Sequence, residues 1–380
     1  MRSFTVARFC LAATLSTVFA TLASAQQSSP ATGPGNASGA ASADAKPAIS
    51  AADQKIKAAY EKTNSASTLD DFSQIISLCQ DGLSEGSTGE SAAYARQLEA
   101  WAYNRRGEKY SEGNNEKQAL KDFEAALALN DKLWKAVQNR GVSRAYLGDT
   151  KGALADFDSV IQLNPNYANA WFNRGELKYA QGDVNGALAD YDHAIQLQPG
   201  DAGFYNSRGH ANYRLGNFRE ALADYNRAVQ INPDDALALV NRGDAYREQG
   251  IYGAAASDYR DAVRTDSKLG RAYLSTAWLM ATCPDPRYRD ADKAIAAAQR
   301  AIELDGDKDY RYLDTLAAAQ ASAGKFDDAK TSVHKALNEA PKNEAAHIQQ
   351  RLDLYESARA YREGAPAEAV KPASANLRAP

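Results

Sequence analysis

The chain has 380 residues, of which 44% are hydrophobic and 24% are charged, and its formal net charge is −4. This composition is typical of a globular protein, and the length suits two domains or one long repeat array. The near balance of charge argues against the concentrated basic face that nucleic-acid-binding proteins need, so no nucleic-acid partner is expected.

Residues 1–25 have the pattern of a signal peptide. A basic start with Arg2 and Arg8 precedes an apolar run over residues 9–25, which ends in the small residues Ala-Ser-Ala. The run is short for a spanning helix and rich in Ala, Ser and Thr; an uncleaved membrane anchor is the alternative interpretation. We therefore expect an exported protein, periplasmic or extracellular, that touches a membrane only through this segment if it is uncleaved.

Two segments are too poor in apolar side chains to fold. Residues 26–50 and residues 364–380 consist largely of Ala, Ser, Gly and Pro, and we expect a disordered tether and a disordered tail. Between them, apolar residues recur at spacings of three and four, and sustained strand-like alternation is missing. Residues 51–99 are expected to form helices that cap the repeats described next.

A period of thirty-four residues runs through residues 100–267. Each of five units has an arginine followed by a glycine, then an alanine twelve residues after the glycine and an aromatic residue sixteen after it. The glycines are Gly107, Gly141, Gly175, Gly209 and Gly243; the alanines are Ala119, Ala153, Ala187, Ala221 and Ala255; the aromatic residues are Phe123, Phe157, Tyr191, Tyr225 and Tyr259.

The repeated glycine requires a packing reason, because glycine within a helix costs about 1 kcal/mol relative to alanine. We expect it to let the helix that carries the alanine approach closely, while the aromatic residue fills the gap between neighbouring helix pairs. Four more glycines suit left-handed caps at the ends of first helices: Gly148, Gly182, Gly216 and Gly250. In the first unit this turn glycine is displaced to Gly113. Three prolines close second helices: Pro165, Pro199 and Pro233.

These features resemble the tetratricopeptide repeat family. The period, the small residues on both helices, the aromatic residue and the closing proline are the family's signature. The resemblance implies an all-α fold, a solenoid in which antiparallel helix pairs stack into an α–α superhelix. It also implies a concave groove, lined mostly by the first helix of each pair, that commonly binds a peptide or a partner helix.

The register changes after Ser267. Residues 268–342 are expected to form two divergent units, in the first of which Pro284 and Pro286 enlarge the turn between the helices. Residues 343–363 are expected to form a final helix that places Ile348, Leu352 and Tyr355 on one face and covers the end of the array.

No motif for catalysis, phosphate binding or metal binding is found, so no catalytic residue, cofactor, metal or small-molecule substrate is predicted. A carboxylate precedes each repeated aromatic residue, and we expect it to pair with the repeated arginine. These residues are Asp122, Asp156, Asp190, Asp224 and Asp258. Cys79 and Cys283 lie in apolar helical patterns and are expected to be buried free thiols.

Asparagines lie two residues before three of the repeated glycines, namely Asn139, Asn173 and Asn241. This ladder of amides would either hydrogen-bond the backbone of a peptide in the groove or bond to a neighbouring helix, and the sequence leaves both open. The other candidate groove residues are Phe172, Tyr179, Asn206, His210, Tyr213 and Arg247.

The sequence therefore predicts an exported, non-catalytic scaffold that binds a peptide or helix of another protein and supports assembly of an envelope complex. One alternative is an accessory or cryptic enzyme that acts through Asp285, Arg287 or Arg289 in the enlarged turn at residues 283–290. Another is a structural protein that assembles with copies of itself.

Overall fold

The structure is a computed structural model and describes residues 49–364. The predicted signal peptide, the predicted tether up to residue 48 and the tail after Gly364 lie outside the described residues. Residues 49–364 form helices and one short 3-10 turn, with no strand, which confirms the predicted all-α class. In this part of the chain, no helix has both the length and the apolar character needed to cross a membrane.

The chain divides into two compact units between Pro199 and Gly200. The described helices of the first unit are α1 (Ala51–Thr63), α2 (Leu69–Ser84), α3 (Gly89–Glu112), α4 (Glu116–Leu129), α5 (Trp134–Leu147), α6 (Thr150–Leu163), α7 (Ala168–Ala180) and α8 (Val184–Leu197). Those of the second unit are α9 (Ala202–Arg214), α10 (Phe218–Ile231), α11 (Ala236–Glu248), α12 (Tyr252–Thr265), α13 (Gly270–Thr282), α14 (Ala291–Asp305), α15 (Tyr310–Ser322), α16 (Phe326–Glu339) and α17 (Lys342–Glu356), with the 3-10 turn at Pro286–Tyr288.

Within each unit, the two helices of a pair pack more extensively against each other than against the helices of the neighbouring pairs, as the repeat predicts. The repeated glycines lie on the first helix of each pair, and the repeated alanines and aromatic residues lie on the second. The first helix of the first repeat is longer than its neighbours. It begins at Gly89, and its extra turns carry Leu98 into a cluster with Phe72 and Ile75 of α2.

The turns inside the pairs need one residue with a left-handed backbone. Gly148 and Gly182 have φ angles of 90° and 88°, and Gly216 and Gly250 have 77° and 71°, which confirms their prediction as caps. In the first repeat, Asn114 takes this conformation with a φ of 57°. The prediction that the turn is displaced to Gly113 is therefore wrong, because Gly113 has a φ of −84°. Asparagine tolerates the left-handed region, so Asn114 keeps the turn at the same place in the repeat.

Each repeated glycine faces the aromatic ring of its own helix pair. A Cβ atom on Gly141 would lie 2.8 Å from the Phe157 ring, and one on Gly243 would lie 2.5 Å from the Tyr259 ring. The other three glycines face Phe123, Tyr191 and Tyr225 in the same way. The glycine therefore makes room for the ring inside the pair. Phe157 and Tyr259 also share buried clusters with Leu177 and Leu279 of the next pairs, which agrees with the predicted packing of the ring between pairs.

In the two divergent pairs of the second unit, both the glycine and the aromatic residue of this contact are replaced. Ala277 and Ala317 stand where the other pairs have glycine, and the facing helices carry Ala298 and Val333 in the aromatic position. All four side chains are fully buried. A methyl group on the first helix is thus accommodated where the opposite side chain is small, as close packing requires.

A buried ion pair joins the two helices of each repeat, as predicted. Arg174 donates from Nε and Nη2 to the two carboxylate oxygens of Asp190 at 2.9 and 2.6 Å. The same two-bond geometry occurs in the pairs Arg106–Asp122, Arg140–Asp156, Arg208–Asp224 and Arg242–Asp258. The aspartates are buried, and a buried charge is strongly unfavourable unless it is paired. The arginine supplies the opposite charge together with two hydrogen bonds.

The end of the array is covered as predicted. Ile348, Leu352 and Tyr355 of α17 are buried against Leu313 of α15 and Val333 of α16. The final helix is shorter than expected, however, since it ends at Glu356 and the following residues leave the helical path. Cys79 and Cys283 are buried free thiols, and burial raises the pKa of Cys79 to about 12.

We predict that Gly141→Ala destabilises the first unit by about 1–3 kcal/mol, because the new methyl group overlaps the Phe157 ring. Phe157→Val alone should also destabilise it, since it leaves a cavity. The double variant should lose less than the sum of the two, because it recreates the pairing of Ala317 with Val333. Urea unfolding followed by circular dichroism measures the three changes.

Gly200→Ala is the matched control, because a Cβ atom there meets nothing within 4 Å and the backbone needs no positive φ. Simple additivity of the Gly141 and Phe157 substitutions would show that the ring and the glycine do not constrain each other.

We predict that Asp190→Ala destabilises the first unit by about 3 kcal/mol or more, because it leaves the partly buried cations of Arg174 and Lys178 without this carboxylate. Glu303→Ala removes an exposed partner of Arg300 and is the control; the free energy of unfolding should barely change. Equal effects in the two variants would contradict a structural role for the repeated pair.

Candidate interaction surface on the first helices

The asparagines of the predicted ladder bridge successive first helices. Asn139 of α5 donates from Nδ2 to Oδ1 of Asn104 at 3.1 Å and to Oε1 of Glu108 at 3.0 Å, both on α3. In the second unit, Asn241 of α11 donates to Oδ1 of Asn206 on α9 at 2.9 Å. Of the two interpretations left open by the sequence, these contacts match bonding to a neighbouring helix.

The third amide of the ladder differs from the other two. Asn173 is buried on α7, and its Nδ2 makes no hydrogen bond with any described residue. On α5, Gln138 holds the position that Asn104 holds on α3, and its Oε1 is likewise buried without a partner among residues 49–364. Asn241 bonds through Nδ2 alone, since its Oδ1 lacks a donor among the same residues.

The aromatic candidates divide into core and surface. Phe172 is 3% exposed and packs on the Tyr191 ring with centroids 5.8 Å apart, so it belongs to the core of the first unit. Tyr179 is partly exposed on α7. In the second unit, Tyr213 packs edge-on against Phe218 and donates to Glu248 Oε1 at 3.3 Å.

Tyrosine hydroxyls hold the acidic residues of the first helices. Tyr191 donates to Glu176 at 2.7 Å, and Tyr259 donates to Asp244 at 2.8 Å. Asp244 also accepts from Ser275 and Arg271 at 3.1 and 3.0 Å, so it links α11 to α13. These carboxylates are bound within their own unit and serve its packing.

His210 lies on α9 among charged residues. Burial lowers the pKa of its imidazole to about 4; the guanidinium groups of Arg271 and Arg214 act in the same direction, and Asp244 opposes them. The side chain is therefore neutral near pH 7 and presents a hydrogen-bonding ring rather than a charge.

A polar cluster on α11 and α13 is occupied by the chain's own segment after α17. Arg247 donates from Nη1 to Glu363 Oε1 at 2.8 Å, and Trp278 donates from Nε1 to the same oxygen at 2.8 Å. Burial acts to lower the pKa of Arg247, but Glu363, Asp244 and Glu248 outweigh it, and the pKa is raised. Arg351 of α17 lies with its guanidinium 5.6 Å from the centre of the Trp278 ring, and we call Arg247, Trp278 and Arg351 the arginine–tryptophan site.

Three of these residues were missed from the sequence: Trp278, Arg351 and Glu363. The prediction of one helix over residues 343–363 hid the segment that binds here. A signal was present, because the apolar stripe Ile348, Leu352, Tyr355 has an arginine, Arg359, at its next position.

The polar side chains of the enlarged turn form hydrogen bonds within the turn. Asp285 accepts from the Arg287 backbone N–H at 3.0 Å, and Arg289 donates to the carbonyls of Cys283 and Pro284, both at 2.8 Å. Among the described residues, no group of three or more His, Cys, Asp or Glu side chains is arranged to hold a metal ion.

Known proteins match the repeats in sequence and in fold. A family model described as Tetratricopeptide repeat matches residues 206–269, and one described as TPR repeat matches residues 141–182 and 175–216. Among solved structures, the Cut9–Hcn1 hetero-tetramer of APC/C has a TM-score of 0.55 at 16% identity, covering 78% of this chain and 54% of that chain. PilF of Pseudomonas aeruginosa has a TM-score of 0.51 at 18% identity, covering 57% and 96%.

MamA from Desulfovibrio magneticus RS-1 matches with a TM-score of 0.41 at 19% identity, over 44% of this chain and 95% of that one. No curated protein matches the chain in sequence. The fold defines a helical repeat protein built from stacked pairs of helices. Residues 141–269 carry tetratricopeptide repeats, as their thirty-four-residue register and the matched models show.

We predict that His210 titrates near pH 4 in the folded protein, against 6.5 for an ordinary histidine. Between these values the unfolded chain binds the proton and the folded chain does not, so lowering the pH through this window reduces stability. His210→Gln should make the fall in stability shallower. An NMR titration of the His210 ring measures the midpoint directly, and a midpoint above pH 6 would contradict the burial.

Proposed function

We propose that the protein is a non-catalytic interaction scaffold that binds an extended segment of another protein on the first helices of its pairs. The observation that carries this proposal is the segment after α17. It lies against α11 and α13 of the second unit and is held by Arg247, Trp278 and two helix-end carbonyls. A surface that holds one extended segment has the chemistry to hold another.

A non-catalytic role is supported by how the repeated charges are used. Every repeated aspartate is paired with an arginine of its own helix pair, and the polar groups of the enlarged turn bond within that turn. These contacts assign the repeated carboxylates to helix packing, which supports a non-catalytic role. The end helix α17 covers the apolar end of the second unit, which disfavours stacking of copies through that end.

We propose further that the partner is an exported protein and that the complex forms in the cell envelope. Support for this comes from residues 1–25, whose basic start, apolar run and Ala-Ser-Ala end are typical of a signal peptide.

Site-specific photo-crosslinking tests the proposed surface. With a photoreactive amino acid at Tyr179, on first helix α7, we expect a discrete crosslinked product in the envelope fraction of the producing cell. The control position is Leu163, which is 43% exposed at the end of second helix α6 and should give none. Equal products from both positions, or none from Tyr179, would contradict binding on the first helices.

A further inference from the structure

The segment after α17 returns along the second unit instead of leaving it. Ala358, with a φ of 53°, takes a left-handed conformation that is uncommon for alanine and redirects the chain after Glu356. Residues 359–363 then lie partly buried against first helices, while Gly364 is exposed.

The backbone end of α13 provides the first anchor. This helix stops at Thr282 because prolines follow at positions 284 and 286, so the glycine cap of the other pairs is missing. The Glu363 backbone N–H donates to the Thr282 carbonyl at 3.0 Å, and Arg362 donates to the Ala281 carbonyl at 2.8 Å. The segment thus supplies donors to carbonyls at the helix end that lack intrahelical partners.

The arginine–tryptophan site provides the second anchor, through side chains. Glu363 accepts from Arg247 and Trp278, as described above. Two residues earlier, the Tyr361 ring lies 5.9 Å from the Trp278 ring, and the Arg351 guanidinium lies 5.6 Å from each of the two ring centres. An aromatic residue two positions before a glutamate therefore fits this site.

The segment fills the site incompletely. The Arg247 side chain is 15% exposed, and its buried Nε–H donates to no described residue, while its other nitrogens bond to Glu363 and Glu248. A buried donor without an acceptor is unfavourable, because it has lost its hydrogen bond to water and gained none in the protein. A ligand that offers one more acceptor here would bind better than the chain's own segment.

We infer that the arginine–tryptophan site binds a partner segment with an aromatic residue two positions before an acidic residue, and that residues 357–363 occupy it in competition with that partner. This inference rests on the proposed function and names the ligand chemistry of one of its surfaces. A tethered segment has a high effective concentration, so it weakens the apparent affinity of a free ligand by the fraction of time the site is open.

Peptide binding to the full chain tests the inference. The probe is a fluorescein-labelled peptide, Ser-Ala-Arg-Ala-Tyr-Arg-Glu-Gly, which copies residues 357–364. The opened variant carries Tyr361→Ala, Arg362→Ala and Glu363→Ala, which remove the side-chain contacts described for these three residues. Fluorescence anisotropy should show that the opened variant binds the peptide at least about tenfold more tightly than the natural chain.

Three controls make the result specific. Arg247→Met in the opened variant should abolish binding, as should a peptide with Gln in place of its Glu. Glu356→Gln, an exposed charge at the end of α17, should leave the affinity of the natural chain unchanged. Faster tryptic cleavage after Arg359 in the opened variant should report release of the segment, and an unchanged helical spectrum should report that the fold persists.

The outcomes separate the two proposals. Equal affinity in the natural and opened chains would refute competition by the segment. An opened, folded variant that binds no peptide would refute the ligand chemistry and leave only a capping role for residues 357–363. Neither result affects the outcome of crosslinking at Tyr179, because that experiment tests the proposed function in the first unit.

Discussion

The contact between a glycine on one helix and an aromatic ring on the next is the constraint on which the helix pairs depend. A side chain of even one carbon at Gly141 or Gly243 would overlap the facing ring. Each of the five glycines lowers the stability of its own helix, but each also allows a large aromatic ring to be buried within the pair. In a divergent pair, Ala317 and Val333 occupy the positions of the glycine and the ring, and these two side chains of intermediate size fill the same space.

In each repeat, an ion pair also joins the two helices, and its residues are adjacent in sequence to the glycine and to the aromatic residue. The arginine precedes the glycine and the aspartate precedes the aromatic residue, so the packing of ring on glycine brings the two charges together. Arg174 also reaches Asp158 on the second helix of the preceding pair, at 2.7 Å. Charges that repeat in the sequence are thus used for architecture, and specificity must come from side chains that do not repeat.

The non-repeating side chains of the second unit cluster near the end of the chain. Arg247, Trp278 and Arg351 come from three different helices and meet around Tyr361 and Glu363. The enlarged turn after α13 contributes by ending that helix without a glycine cap, which leaves its carbonyls to accept from the segment. The irregular part of the array therefore builds the site that we assign to a partner.

Periodic features could be predicted from the sequence, whereas single contacts could not. The helix pairs, the left-handed glycines and the pairing of arginine with aspartate all follow from a thirty-four-residue register, because each repeats with the same physical cause. The close approach at the repeated glycine was predicted, but the ring that it faces was not, since spacing along a helix does not say which side chain of the next helix a residue meets. The path of residues 357–363 depends on one left-handed alanine and on partners more than eighty residues away, such as Trp278.

Hydrogen exchange at the Glu363 amide tests the central claim most directly, because this amide donates to Thr282 and marks the docked segment. If the segment is a displaceable occupant of the first-helix surface, this amide exchanges by local opening while the amides of α13 and α17 stay protected. Exchange of Glu363 only together with those helices, at the free energy of global unfolding, would show that the segment is a fixed part of the fold and would contradict the account.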